Sequence, residues 1–179
     1  GVRPQMLTLF FSSAFLFILD RYETKQNWCL LVLLPLLMLA WVNLHAGYFI
    51  GLVIIGICLT AEILRYLVAR LRKLTPSSGL ISNAGRLVVS LAATVLATLA
   101  NPQGVRLLLY PFQTLGDPAM QKYIQEWYPP DFRQAIWLPF LLGLMLTVLF
   151  VILGRKKLTL TQFLLLLVLL WLILLVWLL

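Results

Sequence analysis

Charge is scarce in this chain. Asp, Glu, Lys and Arg make up 11 % of its 179 residues, against roughly 25 % in a soluble domain. No polar stretch is long enough to form a separate soluble domain. Histidine occurs once and cysteine twice. Cys29 and Cys58 lie in apolar runs and read as small buried hydrophobes, not as a disulfide or a metal pair. One histidine, scattered carboxylates and two such thiols do not form a ligand set at metal-binding spacing. The chain also has no phosphate-cradling glycine loop, nucleotide fingerprint or Ser-His-Asp constellation. No cofactor is therefore expected.

What the sequence does contain is apolar surface. The hydrophobic fraction is 62 %, and the excess over a soluble composition has to face lipid. The expected fold class is all-α, a polytopic membrane helix bundle. At ~20 residues per span the chain holds about six. The net charge of +8 points to anionic lipid head groups before nucleic acid, because membrane proteins gather Lys and Arg in cytoplasmic loops. Gly1-Val2-Arg3-Pro4 is not a signal peptide, and Trp177-Leu178-Leu179 is still apolar. Both ends read as cut, so the expectation is a piece of a longer chain. Helix–helix packing within that chain or an oligomer would complete it.

The spans expected from the apolar runs are approximately 4–20, 28–43, 46–64, 87–100, 135–153 and 158–179, in a single transmembrane domain over 1–179. The apolar run from Trp28 to Ala61 is too long for one span. As a straight helix it would measure about 50 Å, against a hydrocarbon core of ~30 Å. Either it is two spans with a turn near Asn43–Gly47, or it is one long helix with an extramembrane end. The first is favoured, because Asn43, His45 and Gly47 interrupt the run. Pro35 would kink the first half, and Gly47, Gly51 and Gly56 would let helices approach closely. Ser90, Thr94 and Thr98 recur every four residues and predict a packing face. Asn101-Pro102-Gln103-Gly104 predicts a helix stop. The interfacial region 101–134 is amphipathic. Within it, Asp117-Pro118 starts and Pro129-Pro130 ends an expected surface helix.

Basic loops lie inside. Loops 65–86 and 154–157 carry most of the positive charge, and with six spans loop 20–27 joins them. That places ten of the fourteen basic residues on the cytoplasmic side; one long helix over 28–64 would place nine there. Region 101–134 falls on the outer face either way. In the six-span arrangement it lies beside the Asn43–His45 turn. Polar groups gathered there would suit a lipid-linked substrate.

Five short motifs then occur in a telling order. They are Arg3-Pro4-Gln5, Trp41-Val42-Asn43-Leu44-His45, Asn101-Pro102-Gln103-Gly104, Leu109-Tyr110-Pro111-Phe112 and Ile124-Gln125-Glu126-Trp127. Together they resemble the middle portion of bacterial multi-pass proteins with the C-type glycosyltransferase fold. These are similar to the family-39 mannosyltransferase and lipid A arabinose-transferase groups. The resemblance covers most of residues 1–153. Ala46 stands where the family pattern usually has Gly, and Gln103 where it has an aromatic. The family's main catalytic carboxylate lies in an earlier outer loop, and nothing here matches it, so no catalytic residue is assigned.

The resemblance implies transfer of a sugar from a polyprenyl-phosphate sugar at the outer face of the bacterial cytoplasmic membrane. The substrate-binding candidates are Asn43, His45, Asn101, Arg106, Glu126 and Trp127. Each has a plainer reading. His45 and Asn43 cap a turn, Glu126 pairs with Lys122, Arg106 snorkels from a helix end, and Trp127 anchors at the interface. The competing class is a non-enzymatic membrane protein, a scaffold or part of a transporter. Transporters place charged or broken-helix sites near the bilayer midplane, and the spans here are almost free of charge.

Overall fold

The computed structural model describes residues 5–75, 77–116, 133–154 and 158–178. Every regular element among them is helical. The chain divides into two compact units, Gly1–Thr114 and Leu115–Leu179.

The first unit holds α1 (Gln5–Lys25), α2 (Leu33–Leu44), α3 (Phe49–Leu71), α4 (Ser78–Thr98) and α5 (Val105–Gly116, as far as Thr114). A 3-10 turn over Trp28–Val32 leads into α2, and another over Ala46–Tyr48 leads into α3. α1 and α4 each pack against both α2 and α3. Cross-links at the helix ends fix the directions. Thr8 meets His45, Glu23 meets Arg65, and Asn43 meets Asn101. The first four helices therefore run alternately down and up, with α2 parallel to α4.

The break at Asn43–Gly47 is real: α2 ends at Leu44, His45 is extended, and a new helix begins. The polar stretches flanking the apolar runs are more helical than their composition implies. α1 continues through Asp20-Arg21-Tyr22-Glu23 to Lys25, α3 runs through Arg65 and Arg70, and α4 starts at Ser78, not at Leu87. These segments contain good helix formers, and a basic residue in the last turn complements the helix dipole in α1 and α3. α1 stops where Gln26 takes a left-handed φ of 55°, and Asn27 then caps the next turn through Cys29 N–H. The 3-10 geometry before α2 has a local cause. Pro35 has no N–H to offer the Leu31 carbonyl, and its ring crowds that carbonyl.

The core of the first unit is aromatic. The Trp41 indole stacks on Phe11 with centroids 5.3 Å apart and meets Phe15 edge-on at 5.5 Å. Met38, Leu34, Ile55 and Tyr48 complete it, all fully buried. Gly51 is what lets α3 approach. A Cβ there would lie 2.9 Å from the Trp41 ring and 3.0 Å from that of Phe15. At Gly47 a Cβ would collide with the Thr8 side chain, whereas at Gly56 it would touch nothing within 4 Å. Ser90, Thr94 and Thr98 are buried along one face of α4, as their spacing predicts. Thr94 donates to its own helix at the Ser90 carbonyl, 2.7 Å away. Cys58 is buried, but Cys29 is exposed, because the turn that Asn27 caps presents it outward.

The second unit holds α6 (Leu138–Leu153) and α7 (Leu160–Leu178). Pro139 sits in the first turn of α6, where a missing N–H costs little. α7 opens with a reciprocal cap: Thr159 N–H donates to Gln162 Oε1 at 3.0 Å, and Gln162 N–H donates to Thr159 Oγ1 at 3.2 Å.

Among the described residues, three helices are long and apolar enough to cross a membrane: Ala46–Leu71, Ser78–Thr98 and Ala135–Leu153. Trp28–Leu44 and Leu160–Trp171 are apolar but shorter. Among the described residues the fold is thus all-helical, and by length and composition its helices are those of a membrane protein. The surface helix expected over 118–128 lies outside the described residues.

Candidate functional site

One end of the first unit collects the start of α1, the end of α2, the start of α3, the end of α4 and the start of α5. His45 is its hub. Extended backbone at His45 aims the ring back over the 3-10 turn, and Nδ1 accepts the Gly47 N–H at 3.0 Å. A backbone N–H can only donate, so Nδ1 carries no proton here. The Thr8 hydroxyl, 2.9 Å from the same nitrogen, must then donate to it as well. In the neutral ring the proton therefore sits on Nε2, which has no hydrogen-bond partner among the described residues. Gly47 is needed for this arrangement, because the Thr8 side chain fills the space a Cβ would take.

The two asparagines are joined. Asn101 Nδ2 donates to the Val42 carbonyl at 3.0 Å and to Asn43 Oδ1 at 3.2 Å. Its own Oδ1 accepts the Gln103 N–H at 2.9 Å and shapes the turn after α4. Asn43 Nδ2 donates to the Leu39 carbonyl one turn back, at 2.8 Å. Gly104 takes a φ of 53°, which reverses the chain into α5. Tyr48, fully buried, donates its hydroxyl to the Leu107 carbonyl, and Phe49 meets Phe112 edge-on. These contacts tie α5 to the start of α3. Arg106, exposed, stands one residue before that anchor.

The structure thus brings Asn43, His45 and Asn101 together and places Arg106 on the adjoining helix. Glu126 and Trp127 lie outside the described residues. Thr8 and Tyr48 belong to the cluster but were not singled out from sequence. Thr8 is one of only three polar residues between Met6 and Leu19, which is the signal that could have marked it.

The opposite end of the unit is charged. Arg65 pairs with Glu62 at 2.6 Å and with Glu23 at 2.7 Å, joining α3 to α1. Glu62 is buried, and its second oxygen has no hydrogen-bond partner. Tyr22 donates to Asn83 Oδ1 at 3.1 Å, and Arg86 approaches the same phenol. Burial pushes the Tyr22 phenol above its usual value, with Arg86 opposing. The helical extension of α1 and α3 brings Glu23 and Glu62 onto the same guanidinium. No group of three or more His, Cys, Asp or Glu among the described residues forms a metal-binding cluster.

Compared with known proteins, the chain matches no family model, no curated protein and no solved structure.

Proposed function

We propose that the chain forms part of a membrane glycosyltransferase that takes its sugar from a polyprenyl-phosphate donor at the outer face of a bacterial cytoplasmic membrane. The observation that carries this reading is the convergence of Asn43, His45 and Asn101 on one end of the bundle. Each side-chain acceptor of Asn43, His45 and Asn101 already takes an internal bond. The open capacity of the cluster is of donor type: the Nε2–H of His45 and the guanidinium of Arg106. Donors and a fixed cation suit a phosphate leaving group, whose developing charge they would stabilise.

In this reading the chain crosses the membrane six times, with α1, α2 and α7 joining the three helices that are long and apolar enough to cross. Loops 20–27, 65–86 and 154–157 are cytoplasmic, and 101–134 is outside. The basic residues support this side assignment.

Donor binding tests the function directly. The purified protein in nanodiscs is titrated with undecaprenyl phosphate and with undecaprenol, read by native mass spectrometry. The phosphate is expected to bind at least ~10-fold tighter, the worth of one charge-assisted hydrogen bond. His45→Asn and Arg106→Gln should each erode that preference. Equal binding of the phosphate and the alcohol would sink the proposal.

A second reading, a non-enzymatic scaffold or transporter part, has one observation in its favour. Among the described residues every carboxylate lies at the opposite end of the unit, so no base stands beside His45. The donor titration separates the two readings.

A further inference from the structure

We propose that the groove between the start of α2 and the first half of α4 binds an anionic phospholipid, with an acyl chain in the groove and the phosphate on Arg86. The site lies at the end of the unit remote from His45 and does not depend on the glycosyltransferase reading.

The groove is a consequence of sequence on both walls. On one side, Pro35 tightens the preceding turn into 3-10 geometry, and Leu31, Val32 and Pro35 line the wall. On the other, α4 presents Gly85 and Ala93 on either side of Val89. A Cβ on Gly85 would meet nothing within 4 Å, so the space beside it is open. The resulting volume is about 510 Å³. Val32 and Val89 are 51 % and 69 % exposed, so the rim lies on the outside of the unit. Because α2 and α4 run parallel, Trp28, Ser82 and Arg86 share one end of the groove. The opposite end is apolar.

An apolar trough with a cation at one end has the polarity of a phospholipid. Arg86 is half-buried, and no carboxylate among the described residues lies within ion-pair distance of it. Arg65 has claimed both nearby acids, Glu23 and Glu62. The neighbour of Arg86 is a neutral phenol, Tyr22. Its positive charge therefore calls for an external anion, and a guanidinium receives a phosphate through two parallel N–H bonds. Trp28, 56 % exposed at the same end, suits the head-group level. Arg70, Arg72 and Lys73, near this end, would raise the local concentration of anionic lipid. A free phosphate would leave the trough empty, and a purely apolar helix would leave Arg86 unanswered.

The test uses the full chain in nanodiscs of equal phosphatidylglycerol and phosphatidylcholine with matched acyl chains. Retained lipid is read by native mass spectrometry. Phosphatidylglycerol should be kept over phosphatidylcholine by about tenfold, because both phosphates can meet Arg86 but only choline sets a second fixed cation beside it. Arg86→Gln should bring the two lipids to parity. Gly85→Leu should expel both without lowering the unfolding temperature, since its side chain enters open space. A benzophenone amino acid at Val89 should photo-cross-link to an acyl chain. Equal retention of the two lipids by the unaltered protein would overturn the proposal. So would undiminished lipid in Gly85→Leu, or a Val89 adduct with a peptide of this chain or of a second copy.

Discussion

At His45, capping and binding are separable because they use different ring nitrogens. Nδ1 is committed to Gly47 and Thr8, and Nε2–H has no partner among the described residues. Asparagine caps as well as any residue, but its amide N–H donors sit on a shorter side chain and do not reach the position of the Nε2–H. His45→Ala should therefore lose about 1 kcal/mol of stability through the lost cap. His45→Asn should recover most of that loss in thermal unfolding while still failing to favour a prenyl phosphate. If Asn restores both, the histidine is a cap and nothing more. Gly51 offers a steric experiment. Gly51→Ala places a methyl 2.9 Å from a ring that is itself wedged between Phe11 and Phe15. It should cost about 1–3 kcal/mol, the usual penalty of overpacking. Gly56→Ala, with no neighbour within 4 Å, should be neutral or stabilise by up to ~1 kcal/mol through helix propensity. The sequence marks both glycines as possible close contacts. It cannot separate them, because the distinction depends on which face of α3 meets Trp41.

Between elements, what sequence reveals depends on whether the signal is local. The period-four hydroxyls of α4, the break at His45 and the stop at Asn101 were legible, because spacing and turn chemistry act within a few residues. The helical end of α1 was not. Asp20–Lys25 looks like a loop by composition, and its helicity is completed by the long-range bridge Arg65–Glu23. That bridge carries a prediction. Arg65→Met leaves the Glu62 carboxylate buried without its partner, and should destabilise by about 2–4 kcal/mol on removal of a buried partner. The double variant Arg65→Met/Glu62→Met removes the stranded charge as well, so more than half of the loss should return. Chemical denaturation in detergent measures both. A double variant no better than the single would mean that Glu62 contributes no electrostatic cost.

For the whole chain, the amino-acid composition establishes lipid exposure, and the structure adds which ends of the first unit coincide. The alternation of α1 to α4 puts Thr75 at the end that carries the Arg65 network, and Gln103 at the end that carries His45. The basic residues crowd the Thr75 end, so that end should be cytoplasmic. Apolar length alone is silent on direction, which is why charge has to decide it. A background with Cys29→Ser and Cys58→Ala removes both native thiols. In it, a cysteine at exposed Gln103 should react with a membrane-impermeant maleimide added to intact cells. A cysteine at exposed Thr75 should react only after the membrane is opened. Reaction of both from outside would mean that α4 does not cross the bilayer, and the reverse pattern would turn the molecule over. In the reversed case the His45 cluster would no longer be a site reached from the outer face by a lipid-linked sugar.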